Sequence, residues 1–145
     1  MPATDRFFVD SNVLLYYVDP QDEAKRELAI RWLNHLWLTG AGAISWQVLN
    51  EFYWNAVRKM RLDPGRAREV VEDLSSWRPV DNSLGLLRRA WFLSDSAQIP
   101  HWDALIVAAA ERSGASILLS EDFQAGRTFG AVSVVNPFHT PPPAA

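Results

Sequence analysis

Two patterns of apolar residues alternate along the chain. Short uninterrupted apolar runs predict buried β-strands, because a strand covered on both faces of its sheet has no polar side. Between the runs, apolar residues recur at steps of three and four, the spacing that places them on one face of a helix. The predicted strands lie at residues 6–9, 43–45, 116–119 and 131–135.

Five helices are predicted from these amphipathic stretches and from the residues that start or stop them. Ser45 can cap the helix that follows it, and Asp63 followed by Pro64 is a typical helix start. The stretch 102–112 is apolar nearly all round, so we expect a deeply buried helix there. The predicted helices cover 24–38, 45–60, a segment that starts at 63, a segment that starts at 82 or 83, and 102–112.

Alternation of short strands with helices predicts right-handed βαβ units. We therefore predict an α/β fold, a three-layer α/β/α sandwich with a short-stranded parallel sheet. The chain has 145 residues, which is near the size of one domain. We expect residues 1–138 to form that domain. Residues 139–145 contain three consecutive prolines and are expected to form a flexible tail with no means of packing.

Composition and charge exclude several classes of protein. The absence of cysteine rules out a disulfide framework, a zinc finger, an iron–sulfur cluster and a cysteine nucleophile. The net charge of −3 argues against bulk attraction to nucleic acid, but not against a local basic patch. No apolar run approaches the roughly 18 residues that span a bilayer, and the first residues resemble no signal peptide. We expect a soluble, cytoplasmic protein without membrane contact.

Four carboxylates are predicted to meet at one edge of this fold. Asp10 ends the first strand, and Asp122 follows the strand at 116–119. Asp103 and Glu51 lie near the N-termini of their helices. Strand C-termini and the N-termini of the following helices share one edge of such a sandwich. Each acid alone also has an ordinary interpretation, as a turn residue, a helix cap or a solvated side chain.

A cluster of four carboxylates needs a positive charge, because each raises the pKa of its neighbours. A hard divalent cation with oxygen ligands supplies that charge. Ligation by oxygen alone, in a chain without cysteine, favours Mg²⁺, with Mn²⁺ as the alternative, over zinc.

Four short segments carry a resemblance to the acidic motifs of PIN-domain nucleases. In order, size and spacing they are similar to toxins of VapBC-type toxin–antitoxin pairs, and the resemblance runs from about residue 7 to residue 138. The segments are Val9-Asp10-Ser11-Asn12-Val13-Leu14, Asn50-Glu51-Phe52, Trp102-Asp103-Ala104-Leu105-Ile106 and Leu119-Ser120-Glu121-Asp122-Phe123.

The resemblance implies a Mg²⁺-dependent endoribonuclease that cleaves RNA with a metal-activated water. Asp10 and Asp103 would be the most direct metal ligands. Glu51 and Asp122 would hold a second ion or waters, and one of them would help to deprotonate the attacking water. Glu121 stays open as the alternative fourth acid. The resemblance also implies a cognate antitoxin protein and a homodimer.

Further residues are assigned supporting roles. By the same resemblance, Ser11 would hydrogen-bond to Asp10 or a site water, Asn12 would shape the loop, and Ser120 would support the site. A group of basic residues after the Glu51 helix has two interpretations, a solvated helix end or a contact to the RNA backbone. The residues assigned to RNA binding are Arg58, Lys59 and Arg61.

Aromatic residues on two predicted helices indicate a partner surface. The helix at 24–38 carries Trp32, Trp37 and Leu38, and the next helix carries Tyr53 and Trp54. One helix face against the sheet cannot bury all of these. Exposed aromatic surface is typical of sites that bind a partner.

Two other functions are considered. Phosphatase-like and response-regulator-like α/β domains also place an aspartate after the first strand, but they need a lysine late in the chain. The lysines here are Lys25 and Lys59, with none beyond. A catalytically inactive PIN-like interaction module is the second alternative, and the presence of all four acids argues against it.

Overall fold

The computed structural model describes residues 5–144. Its centre is a five-stranded sheet with the spatial order β2-β1-β3-β5-β4. Neighbouring strands are parallel except for β4 and β5, which form an antiparallel pair at one edge. The strands are β1 (Phe7–Val9), β2 (Gly42–Ala43), β3 (Ile117–Leu119), β4 (Thr128–Phe129) and β5 (Val132–Val135).

Six α-helices surround the sheet. Helix α1 packs against both α2 and α3, and α3 packs against α4. Helix α5 packs along α6, and α6 lies against β3 and β5. Every residue of β1 and β3 is buried, so both faces of the sheet are covered. The helices are α1 (Ser11–Val18), α2 (Glu23–Thr39), α3 (Trp46–Arg58), α4 (Pro64–Leu74), α5 (Leu84–Ala97) and α6 (His101–Arg112).

The predicted α/β sandwich is confirmed. The caps form as expected: the Ser45 hydroxyl accepts from the backbone N–H of Val48, and Asp63 caps α4 with Pro64 in its first turn. Helix α6 is buried continuously from Ala104 to Ala110, as its apolar sequence indicates.

Among residues 5–144, three elements are not among the predicted ones: α1, β4 and a short 3-10 helix at Ser75–Trp77. Helix α1 is only eight residues long and almost uniformly apolar, so its sequence has no helical periodicity to detect. Strand β4 has two residues and pairs with β5 across a tight turn at Gly130, whose φ is 60°. A strand of two residues is too short to show the alternation of apolar and polar residues by which a strand is predicted from sequence.

The C-terminal segment is held at its start. The buried indole of Trp32 donates to the carbonyl oxygens of Pro137 at 3.1 Å and Thr140 at 2.9 Å. The hydrogen bond to Thr140 therefore connects the start of the predicted tail to α2. The boundary at residue 138 stays a prediction, and residues 1–4 of the predicted domain and 145 of the predicted tail lie outside the described residues.

None of the helices described between residues 5 and 144 combines the length and the apolar character needed to cross a membrane.

Candidate active site

Asp10 occupies the junction between β1 and α1. It is the N-cap of α1, and its Oδ1 accepts from the backbone N–H of Ser11 at 2.7 Å. Its Oδ2 accepts from the hydroxyl of Ser120, at the end of β3, at 2.8 Å. The side chain is only 5% exposed. Asp10 therefore both caps α1 and belongs to the acidic cluster, two roles that its position in the sequence left as alternatives.

The Asn12 amide joins Asp10 to the loop that follows β3. Its Nδ2 lies 3.4 Å from Asp10 Oδ2, 3.1 Å from Ser120 Oγ and 3.2 Å from Asp122 Oδ2. Its Oδ1 accepts from the backbone N–H of Glu121 at 3.3 Å. Asn12 thus acts as a crosslink between two strand ends that are adjacent in the sheet.

Glu51 reaches the same cluster from α3. Its Oε2 accepts from the Ser11 hydroxyl at 3.3 Å, and its Oε1 accepts from Nε2 of Gln47, one turn earlier, at 2.8 Å. The same Nε2 lies 3.3 Å from the backbone carbonyl of Trp102. Gln47 therefore connects Glu51 to the start of α6.

Asp103 lies in the first turn of α6. Burial is the main cause that raises its pKa above the usual range, and the negative charge of Asp122 raises it further. Among the other three acids, Asp122 is thus the one whose charge acts on Asp103.

Burial raises the pKa of Asp10 to about 6. Hydrogen bonds from Ser120 and from the Ser11 N–H oppose this shift, while the charges of Glu51 and Asp122 add to it. Three ion pairs occur among residues 5–144, and none of them includes one of the four acids. The cluster therefore carries negative charge that no described cationic side chain neutralises.

The position of Glu121 separates it from Asp122. Its Oε2 lies 2.8 Å from Nζ of Lys25 on α2, and that ammonium also lies 3.3 Å from the Tyr16 hydroxyl. The Glu121 carboxylate is thus neutralised by Lys25, whereas Asp122 accepts from Asn12 within the cluster. Of the two alternatives for the fourth acid, Asp122 is the one that the structure groups with Asp10.

The donor set fits a hard divalent cation. The cluster offers carboxylate oxygens without sulfur or imidazole, and its charge lacks a partner. Among residues 5–144, no three Asp, Glu or His side chains form a ready-made ligand shell. Glu51 and Asp122 line one cleft, together with Ser11 and Asn12. The assignment of Asp10 and Asp103 as the most direct metal ligands stays a prediction.

The three basic residues assigned to RNA occupy different places. Lys59 lines a cleft of about 310 Å³ together with Glu51 and Asp122. The Arg58 guanidinium instead stacks on the Trp54 ring at 4.7 Å from its centre. Arg61 follows α3 in a left-handed conformation and does not line this cleft. Of the three, Lys59 thus lies beside Glu51 and Asp122, whereas Arg58 and Arg61 do not line this cleft.

Sequence reasoning overlooked three residues that surround the acids. Gln47 and Asn55 lie four residues before and after Glu51, so the helical repeat alone would have placed them on its face. Asn55 lines the cleft beside Lys59. Lys25 has no comparable signal, because its partner Glu121 is 96 residues away.

The fold and the site together define a class of protein. It is an α/β sandwich in which Asp10 and Asp122 follow two neighbouring parallel strands, and Glu51 on α3 is linked to Asp10 through Ser11. Asp103 lies in the first turn of α6. The PIN domain family model matches residues 7–128, a range that includes all four acids. The chain therefore belongs to the PIN-domain family, whose fold is of a nuclease type and whose members are generally nucleases. A search of curated proteins found no match.

Proposed function

We propose that this protein is a Mg²⁺-dependent endoribonuclease, with Mn²⁺ as a possible substitute, and the toxin of a toxin–antitoxin pair. One observation carries the proposal: in a chain of the PIN-domain family, Ser11 and Asn12 join Asp10, Glu51 and Asp122 by hydrogen bonds, and no described cationic side chain forms an ion pair with these acids. Such a cluster attracts a divalent cation, and the cation in turn attracts phosphate.

Each residue of the cluster has a defined part in this reaction. Asp10 and Asp103 would hold the ion, and a bound Mg²⁺ lowers the pKa of water and stabilises negative charge on phosphoryl oxygens. Ser120 and the Ser11 N–H orient the Asp10 carboxylate. Glu51 or Asp122 would accept the proton of the attacking water.

The toxin assignment requires partners, namely a second copy of the chain and an antitoxin. Exposed aromatic surface supports both: Trp37 is 45% exposed and Trp54 is 58% exposed, whereas Trp32 is fully buried. An antitoxin that placed a cationic side chain beside the uncompensated acids would take the place of the metal. We therefore propose a homodimer that an antitoxin inhibits, acting in the cytoplasm.

Cleavage of RNA by the purified protein tests the activity. We expect cleavage with Mg²⁺ or Mn²⁺, none with EDTA, and a loss of about 100-fold or more in Asp103→Asn, because stabilisation by a metal is worth several kcal/mol. Asp95→Asn, which alters an exposed acid on α5, serves as the matched control. Wild-type cleavage by Asp103→Asn would refute the site.

The toxin role has a separate test. Expression of the wild-type chain should arrest growth of a bacterial host, and Asp103→Asn should not. Co-expression of a small protein encoded beside this gene should restore growth. A wild-type chain that cleaves no RNA under any metal condition would instead favour an inactive interaction module.

A further inference from the structure

Trp102 is an exposed aromatic residue directly beside a candidate metal ligand. Its side chain is 65% exposed, more than Trp54 or Phe92. A single exposed aromatic residue is ordinary on a protein surface. The position of Trp102, one residue before Asp103 at the start of α6, makes its exposure informative.

The backbone of Trp102 is tied to the acidic cluster. Its carbonyl lies 3.3 Å from Nε2 of Gln47, which also holds Glu51. The His101 ring meets the indole edge-on, with the ring centres 5.2 Å apart. With 65% of its surface exposed, the indole remains available to a further planar group.

The indole borders an open cleft of about 370 Å³. This volume is in the range of roughly 300–1,000 Å³ that is typical of small-ligand sites. None of the five lining residues is cationic, and three of them carry side-chain amides. The lining residues are Gln47, Asn50, Glu51, Asn82 and Trp102.

A second cleft shares Glu51 with the first. It has about 310 Å³ and includes Lys59, Asn12 and Asp122. Because Glu51 lines both clefts, a chain that passes this residue would reach both of them. The cleft with Lys59 suits a phosphate, whereas the uncharged amides and the indole suit a base.

We propose that the cleft beside Trp102 is a subsite for one nucleobase of single-stranded RNA, next to the phosphate that is cleaved. The base stacks on the Trp102 indole, and the amides of Asn50 and Asn82 hydrogen-bond to its edge. Stacking on aromatic side chains and pairing with exposed base edges are the usual means of recognising single-stranded RNA. The subsite rests on the proposed function and adds to it a determinant of sequence preference.

A cleft of this chemistry favours RNA over a protein partner. An apolar helix needs apolar side chains to pack on, and Trp102 is the one such side chain among the five residues that line this cleft. The groove between α3 and α4 offers more of them, namely Trp46, Leu49, Tyr53 and Val71, beside three polar or charged residues. Amide groups, by contrast, offer both a donor and an acceptor in one plane, as base edges do.

The test compares Trp102→Ala and Trp102→Phe with Trp91→Ala. Trp91, 49% exposed on α5, lines neither cleft and is the matched control. In an Asp10→Asn background, polarisation of a labelled short single-stranded RNA gives the affinity. We expect Trp102→Ala to weaken binding by about 5- to 100-fold, because stacking of one base on an aromatic ring is worth about 1–3 kcal/mol. Trp102→Phe should retain most of the affinity.

A second measurement separates stacking from a general structural effect. Removal of one base beside the cleaved bond should weaken binding to the protein with Trp102, but should cause no additional loss in Trp102→Ala. In cleavage assays with Asp10 intact, Trp102→Ala should raise the half-saturating RNA concentration more than it lowers the maximal rate. Asn82→Ala should reduce the preference among bases at that position.

Three results would overturn the subsite. Equal RNA affinities of Trp102→Ala and Trp91→Ala, with normal wild-type cleavage, would refute the subsite alone. Altered self-association of Trp102→Ala by light scattering, with unchanged RNA binding, would make this surface a protein interface instead. A wild-type chain that neither binds nor cleaves RNA would refute the proposed function, and the subsite with it.

Discussion

At the scale of single residues, the buried carboxylate of Asp10 lowers the stability of the metal-free fold. Its carboxylate is buried beside Glu51 and Asp122, and its pKa is raised to about 6 from the ordinary 3.8. A shift of this size corresponds to a cost of about 3 kcal/mol for the ionised form, at about 1.36 kcal/mol per pH unit, before compensation by bound metal.

Asp10→Asn should therefore stabilise the metal-free protein. Because the folded-state pKa exceeds the unfolded one, the wild type loses stability as the pH rises from about 4 through about 6. The variant lacks this titration, so in EDTA at pH 8 it should have the higher free energy of unfolding. The gain should be less than the full cost, because the amide that replaces the carboxylate reproduces its hydrogen bonds only in part.

Chemical denaturation at several pH values measures this effect. The stability advantage of the variant over the wild type should shrink below pH 6 and be lost by about pH 4, where only the lost hydrogen bonds of the Asp10 carboxyl remain. Asp95→Asn, on the exposed face of α5, leaves Asp10 unchanged and is the matched control. A variant less stable than the wild type at pH 8 would contradict the electrostatic account.

At the scale of elements, the packing of β2 depends on the glycine at position 42. A Cβ atom on Gly42 would stand 2.5 Å from the ring of Trp77, which packs on this strand. Strand β2 pairs with β1 and leads through Ser45 into α3, the helix that carries Glu51. Close packing of Trp77 on Gly42 thus helps to set the position of one acid.

Gly42→Ala should destabilise the fold by about 1–3 kcal/mol, the usual cost of overpacking. Thermal or chemical denaturation measures the loss. Trp77→Leu provides the matched test, because a smaller side chain leaves room for the methyl group. The double variant should lose less than the sum of the two single losses. Additive losses would show that the methyl group and the indole do not meet.

At the scale of the whole molecule, a net charge of −3 means that attraction to RNA must be local. Lys59 is the basic residue that lines the cleft with Glu51 and Asp122, whereas the Arg58 guanidinium is stacked on Trp54. The proposed phosphate contact therefore depends on one lysine rather than on the whole basic group.

Lys59→Ala should weaken RNA binding and flatten its salt dependence. The loss of one phosphate contact reduces the slope of log affinity against log salt by about 0.7 for a single strand. Titrations at several salt concentrations measure that slope, with Arg58→Ala as the control. If Arg58→Ala changed the slope as much as Lys59→Ala or more, the phosphate contact would belong to Arg58 instead.

The sequence by itself was sufficient to predict the α/β sandwich. Strand and helix signals are local: the Ser45 cap, the Pro64 start and the apolar runs each act within a few residues. The rule that parallel strands end at one edge of the sheet also predicts Asp10 near Asp122, and Asn12 links these two carboxylates in the structure.

Only the tertiary structure decided which neighbours these side chains have. Glu121 and Asp122 are adjacent in sequence, yet their side chains have different partners. The Glu121 carboxylate pairs with Lys25, whereas the Asp122 carboxylate accepts from the Asn12 amide in the acidic cluster. Likewise, Trp102 faces an amide-lined cleft that residues from α3 and the loop before α5 create. Such pairings join residues distant in the chain, and they depend on the packing of whole elements, which no local pattern encodes.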